Sequence, residues 1–199
     1  KKKSFMIAAA LVLALGGISG CDRLRPFTEQ ELVQRAKNFE IAGDNKSAVI
    51  ELKNALQKNP NNVEARWLLG EIYIRTGQAS EAEKELLKAR QLGLNPASIT
   101  AQLAQALLLQ GKYDQALEAT RLPNEQLSNT NQARLLFVRG EALLGLNRVA
   151  DGCSEYKQSL QVDQRYVPPY WGMAKCALMD KSKQQAYAYL EKALQLDDN

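Results

Sequence analysis

The sequence predicts an all-α solenoid of about five helix-turn-helix units stacked in a right-handed superhelix. Small residues recur at a spacing of 34 as Ala36, Gly70, Ala104, Gly140 and Ala174, with one step lengthened to 36. A second small set, Ala48, Ala82, Ala116, Gly152 and Ala186, keeps the same rhythm. Between the two sets fall Gly43, Gly77 and Gly111, at the spots where a first helix must stop and a second begin. Self-similarity at such a period marks stacked units, each too small to bury its apolar face alone.

The elements follow in order. The repeats are 29–62, 63–96, 97–132, 133–166 and 167–199, each with two antiparallel helices, ten in all. The two small sets lie where paired helices approach closely, because a larger side chain there would push them apart. Gly43, Gly77 and Gly111 close the first helices in a left-handed conformation that glycine adopts without strain. Asn147 and Lys181 replace glycine in the last two units, which predicts looser turns there. Phe39, Tyr73 and Leu107 late in the first helices, with Leu52, Leu86, Tyr156 and Leu190 in the second, fill the space between layers. Ala55, Ala89 and Ala193 let the next unit stack, and Pro60 breaks the chain after the first unit. The third unit departs from the pattern. Pro123 is incompatible with a helix interior, so its second helix is expected to stop near Leu122, with Pro123 to Thr130 a surface loop or hinge that takes up the two extra residues.

A different pattern precedes the repeats. Lys1, Lys2 and Lys3 lead into an apolar run from Phe5 to Leu15, well short of the roughly 20 residues that span a bilayer as a helix. Ile18-Ser19-Gly20-Cys21 then resembles the bacterial lipobox. The domain organisation read from this is a lipoprotein signal peptide at 1–20, a lipidated tether at 21–28 and the repeat domain at 29–199. Cys21 is the expected lipidation site, which ties the chain to a membrane through its acyl chains. Asp22 resembles the residue that retains Gram-negative lipoproteins on the periplasmic face of the inner membrane, the outer membrane being the alternative.

Composition narrows the function. The chain has no histidine, which excludes Ser-His-Asp or Cys-His catalysis and any histidine-bound metal. Three of the four net positive charges belong to Lys1 to Lys3, so the remainder is near neutral and lacks a footprint for nucleic acid. No cofactor is implied. Cys153, early in the second helix of unit four, and Cys176, late in the first helix of unit five, fall at the same height on neighbouring helices. In an oxidising compartment that placement favours a disulfide, with two buried free thiols as the alternative.

The 34-residue period is the tetratricopeptide period. In such stacks the first helices line the concave side, and residues one, four, eight and eleven places into each unit share that face. The second of these positions holds Val33, Trp67, Ala101, Phe137 and Trp171. The fourth holds Glu40, Ile74, Leu108, Leu144 and Leu178. The third holds Lys37, Glu71, Gln105, Glu141 and Lys175, which sets charges of both signs beside an apolar stripe. A protein segment could anchor there on Trp67, Phe137 and Trp171; burial of these aromatics by the superhelix itself is the other reading. On the last helix Tyr187, Leu190 and Leu194 form an apolar strip suited to self-association or a partner.

One phrase is richer than the repeat consensus. Ala48 to Pro60 read AVIELKNALQKNP, followed by Ala65-Arg66-Trp67-Leu68-Leu69-Gly70 and Ala82-Glu83-Lys84-Glu85-Leu86. These closely resemble the opening of the tetratricopeptide lipoproteins that accompany PEP-CTERM/exosortase systems, over about residues 20 to 120. The resemblance implies a non-enzymatic, membrane-anchored periplasmic scaffold that serves protein sorting or exopolysaccharide export. A pilus-assembly or outer-membrane-assembly lipoprotein of the same architecture is the alternative. An envelope enzyme acting on glycan is the reading from another class, and it would rest on repeat-face carboxylates such as Glu71 and Glu141.

Overall fold

The computed structural model describes residues 25–121 and 127–197, the side chains of 96–98 excepted. The signal peptide, Cys21 and Asp22 lie outside the described residues. Among those residues there are ten helices and no strand: α1 (Glu29–Ile41), α2 (Asn45–Lys58), α3 (Val63–Arg75), α4 (Ala79–Gln91), α5 (Pro96–Leu109), α6 (Tyr113–Ala119), α7 (Asn129–Gly145), α8 (Val149–Val162), α9 (Pro168–Met179) and α10 (Lys183–Asp197). Odd-numbered helices open units and even-numbered helices close them. Each pairs within its unit and then stacks on the next, as in an α-solenoid.

Local chemistry starts the helices. Thr28 caps α1 in a reciprocal box with Glu31, and Asn62 and Ser128 accept the backbone N–H of Ala65 and Asn131 to cap α3 and α7. Five turns inside the units share one geometry. A left-handed residue at Gly43, Gly77, Gly111, Asn147 or Lys181 is followed by a backbone N–H that reaches back to a carbonyl five residues earlier, at 2.8–3.0 Å. The turns at Asn147 (φ 61°) and Lys181 (φ 59°) are therefore not looser than the glycine turns, contrary to expectation. The packed helices on either side dictate the turn, and the non-glycine residues carry the backbone strain instead.

Unit three also differs from expectation. α6 ends at Ala119, one turn before Leu122, where Thr120 caps it: its N–H donates to the Ala116 carbonyl and its hydroxyl to Leu117 at 2.6 Å. Asn129 and Thr130, expected in a loop, begin the 17-residue α7, and Thr130 reaches Asp163 Oδ2 at 3.3 Å. A serine cap at 128 makes the earlier start favourable. Residues 122–126 lie outside the described residues. α6 is only seven residues long, and α7 packs against both α5 and α6.

Close approach governs the core. A Cβ on Gly70 would lie 2.5 Å from Leu86, and one on Gly140 would lie 2.5 Å from the Tyr156 ring. The two small sets are thus contact points between paired helices, with Ala48, Ala82 and Ala116 fully buried beside them. Leu52, Leu86 and Tyr156 are fully buried at the equivalent position of three units. Each such side chain contributes roughly 1.5–3 kcal/mol by leaving water. Glu51, Glu85 and Glu155 share another register position and each holds an arginine of the first helix, Arg35, Arg66 and Arg139 respectively.

Candidate functional site: the concave groove

The first helices place their repeat-face residues along one side, and the charges there are paired between units. Lys37 on α1 meets Glu64 on α3 at 2.6 Å, and Glu40 on α1 meets Arg75 on α3 at 2.7 Å. Glu71 on α3 accepts a hydrogen bond from Gln102 on α5 at 3.3 Å. Glu141 on α7 accepts from Lys175 on α9 at 3.4 Å and from the buried Tyr156 hydroxyl at 2.5 Å. Desolvation, and then that carboxylate, push the Tyr156 phenol far above its usual range, so it stays protonated and acts as a donor. Glu71 and Glu141 are thus engaged in structural contacts between helices.

The apolar stripe divides by position. Val33 and Ala101 are buried, and Trp67 is half-buried against the core with its indole N–H lacking a hydrogen-bond partner. Leu108 is half-buried against the same core. Phe137 stacks 5.8 Å from Tyr156 and meets Tyr166 edge-on at 6.1 Å. Leu144 lays its Cδ1 against Gly152 of α8, so it packs within its own unit. Only in unit five does the stripe open to solvent, with Trp171 42% and Leu178 55% exposed. The same register therefore supplies packing in the interior units and an accessible apolar surface on α9.

Ile74, Glu71 and Gln105 come together with Arg75, Gln102, Arg134 and Tyr166 around a cleft of 220 Å³ on this side. Arg134 and Tyr166 were not singled out from the sequence. Arg134 sits one place into unit four, a position the helical-face rule does cover; Tyr166 lies in the α8–α9 connection, where no periodicity points to it. Burial raises the Tyr166 phenol pKa, while a hydrogen bond from Arg134 and its charge act in the opposite direction.

Two further features frame the groove. Cys153 on α8 and Cys176 on α9 are joined in a disulfide with their Cα atoms 6.0 Å apart, which fastens unit five to unit four. On α10, Tyr187 is 71% and Leu194 57% exposed, with Leu190 half-buried between them. Among the described residues, no helix is long and apolar enough to cross a membrane.

Comparison with known proteins shows what the chain is similar to. A model of the tetratricopeptide repeat family matches residues 41–98, so that stretch is similar to the tetratricopeptide repeat. The fold agrees. The crystal structure of PilW, a widely conserved type IV pilus biogenesis factor, superposes with a TM-score of 0.71 over 86% of this chain and 78% of that one, at 16% identity. YrrB, a tetratricopeptide-repeat protein with an unusual peptide-binding site, superposes at 0.58 over 85% of this chain and 86% of that one, also at 16% identity. Human tetratricopeptide repeat protein 34 is 27% identical over 176 residues, covering 83% of this chain. The chain spans 27% of that curated relative's length.

Proposed function

We propose that the chain is a non-enzymatic scaffold of the cell envelope, tethered through a lipidated Cys21, that holds a segment of a partner protein along its concave face. The observation that carries this reading is the pairing of the groove's charges between units beside an accessible apolar surface at Trp171 and Leu178. Desolvated aromatic and aliphatic anchors supply most of the affinity of such interfaces. Trp67, Ile74, Leu108, Phe137 and Leu144 shape the wall behind them, while Glu71, Glu141 and Lys175 set its polar edge. Asp22 keeps the scaffold on the periplasmic face of the inner membrane, within an export or exopolysaccharide machine of the exosortase type. Tyr187, Leu190 and Leu194 offer a second surface for self-association, which concentration-dependent light scattering of wild type and Leu194→Glu checks.

Photo-crosslinking in the living cell tests the groove. Crosslinker at positions 171 and 178 is expected to give a discrete adduct in the membrane fraction, whereas crosslinker at Lys84 or Gln158 on second helices is not. Equal labelling from both sides, or none, sinks the reading. Sucrose-gradient fractionation of wild type, Cys21→Ser and Asp22→Ser tests the anchor. The likeness to PilW favours a second reading, a pilus-assembly role for the same groove; loss of pili on deletion of the gene, with exopolysaccharide unchanged, would select it.

A further inference from the structure

Arg134 stands apart from the other groove charges. Lys37, Glu40, Arg75, Glu141 and Lys175 each have an oppositely charged partner on a neighbouring unit, and Glu71 is held by Gln102. Among the described residues no carboxylate pairs with Arg134, which lines the same cleft as the Tyr166 phenol. Arg134 is half-buried, in a cleft it shares with Gln102 and Gln105 of α5. The one carboxylate lining that cleft, Glu71, belongs to α3, two first helices away, and already accepts from Gln102. A guanidinium presents a planar fork of donors that matches a carboxylate in two-point contact, and partial desolvation strengthens that contact relative to water.

Resting on the scaffold reading above, we infer that the α5–α7 cleft selects partner segments carrying an acidic side chain, with Arg134 as its carboxylate-binding residue. The apolar surface of α9 fixes the spacing. α7 and α9 are neighbours joined by the Glu141–Lys175 contact. Packed helices lie roughly 10 Å apart and an extended chain advances about 3.3 Å per residue, so the acid and the apolar residue on Trp171 and Leu178 stand about three positions apart. The occupant is an extended segment with an Asp or Glu side chain; a chain-terminal carboxylate is the competing source.

Selection of a random nine-residue peptide library on the immobilised full chain tests this, using peptides with amidated C-termini. Enrichment of Asp or Glu about three positions from a large apolar residue is expected. In Arg134→Gln the apolar preference is expected to persist while the acidic one disappears. Affinity for an enriched peptide should fall roughly ten- to a hundredfold in that variant, and equally when the peptide's acid is replaced by its amide, with no further loss when both changes are combined. Gln158→Ala, at an exposed position of the second helix α8, should retain both the acidic and the apolar preference and controls for general effects of substitution. Apolar enrichment without an acidic preference overturns the inference and leaves the scaffold reading standing. Acidic preference only with free C-termini overturns it in favour of a terminal carboxylate. Enrichment of no sequence at all overturns both.

Discussion

In the first two units the space between paired helices is filled by Leu52 and Leu86, whereas in the fourth the same position holds Tyr156. The larger ring is accommodated across the unit boundary. Gly172 of α9 would place a Cβ 2.6 Å from that ring, at the register position that holds buried Leu68 in unit two and buried Val138 in unit four. Large meets small at the C-terminal junction, and medium meets medium at the N-terminal one. The same half of the chain has the Cys153–Cys176 disulfide and the two non-glycine left-handed turns. One backbone plan is thus held by two kinds of chemistry. Summed volume and turn geometry are what the stack specifies, and individual residue types are exchangeable within that limit.

The largest expected effect comes from removing Tyr156. Tyr156→Ala empties a fully buried site and leaves Glu141 without its phenol donor, and should cost about 3–5 kcal/mol in urea unfolding. Gly172→Ala should cost about 1–3 kcal/mol by overpacking. Tyr156→Leu combined with Gly172→Leu rebuilds the Leu52–Leu68 arrangement of the N-terminal junction, so the double variant should be more stable than the sum of its single costs allows. Strict additivity would show that the two positions do not compensate each other.

Next in size is the disulfide. In the chain-entropy account, a bridge between residues 23 apart contributes about 3 kcal/mol. Replacing both cysteines by serine should speed hydrogen exchange in α9 and α10 and leave α1 to α4 nearly unchanged, since each unit touches only its neighbours. Uniform acceleration along the chain would contradict a local role.

A smaller effect separates the turns. Lys181→Gly should stabilise by up to about 1 kcal/mol by relieving a left-handed lysine, and Asn147→Gly by less because asparagine tolerates that conformation. Gly77→Ala is expected to move the midpoint the other way. Equal, negligible shifts in all three would mean that the turns carry no strain.

The smallest concerns acid. The Lys112 ammonium and the Gln110 amide hold the Glu83 carboxyl below its ordinary range and link α4 to the α5–α6 turn. Its folded pKa is depressed, so its contribution is complete above the unfolded carboxylate value and is lost as pH falls through the folded one. For a partly exposed pair this amounts to less than about 1 kcal/mol. Glu83→Gln should therefore lower stability slightly at pH 7 and converge with wild type in strongly acidic solution; a difference that grows on acidification would contradict the assignment.

The repeat register, the ten helices and the two small-residue sets were legible in the sequence because they rest on short, regular spacings that any helix imposes. The groove was legible as a face: Glu71, Ile74 and Gln105 do line one cleft. Which of its apolar residues are accessible was not, since Trp67 packs against the core and Phe137 against Tyr156 and Tyr166, whereas Trp171 is exposed. The early start of α7 was missed because Ser128, read as loop, caps it.

By itself, then, the order of residues determined periodicity, helix pairing and the positions where backbones must touch, all properties of neighbours in the chain or of one repeat laid on the next. Tertiary structure alone decided the rest. The pairing of Glu40 with Arg75, the meeting of Arg134 with Tyr166 and the match of Tyr156 to Gly172 depend on how far each unit rotates over the last. The left-handed conformations of Asn147 and Lys181 are imposed by the packed helices on either side of each turn, whose burial outweighs a local preference of about 1–2 kcal/mol.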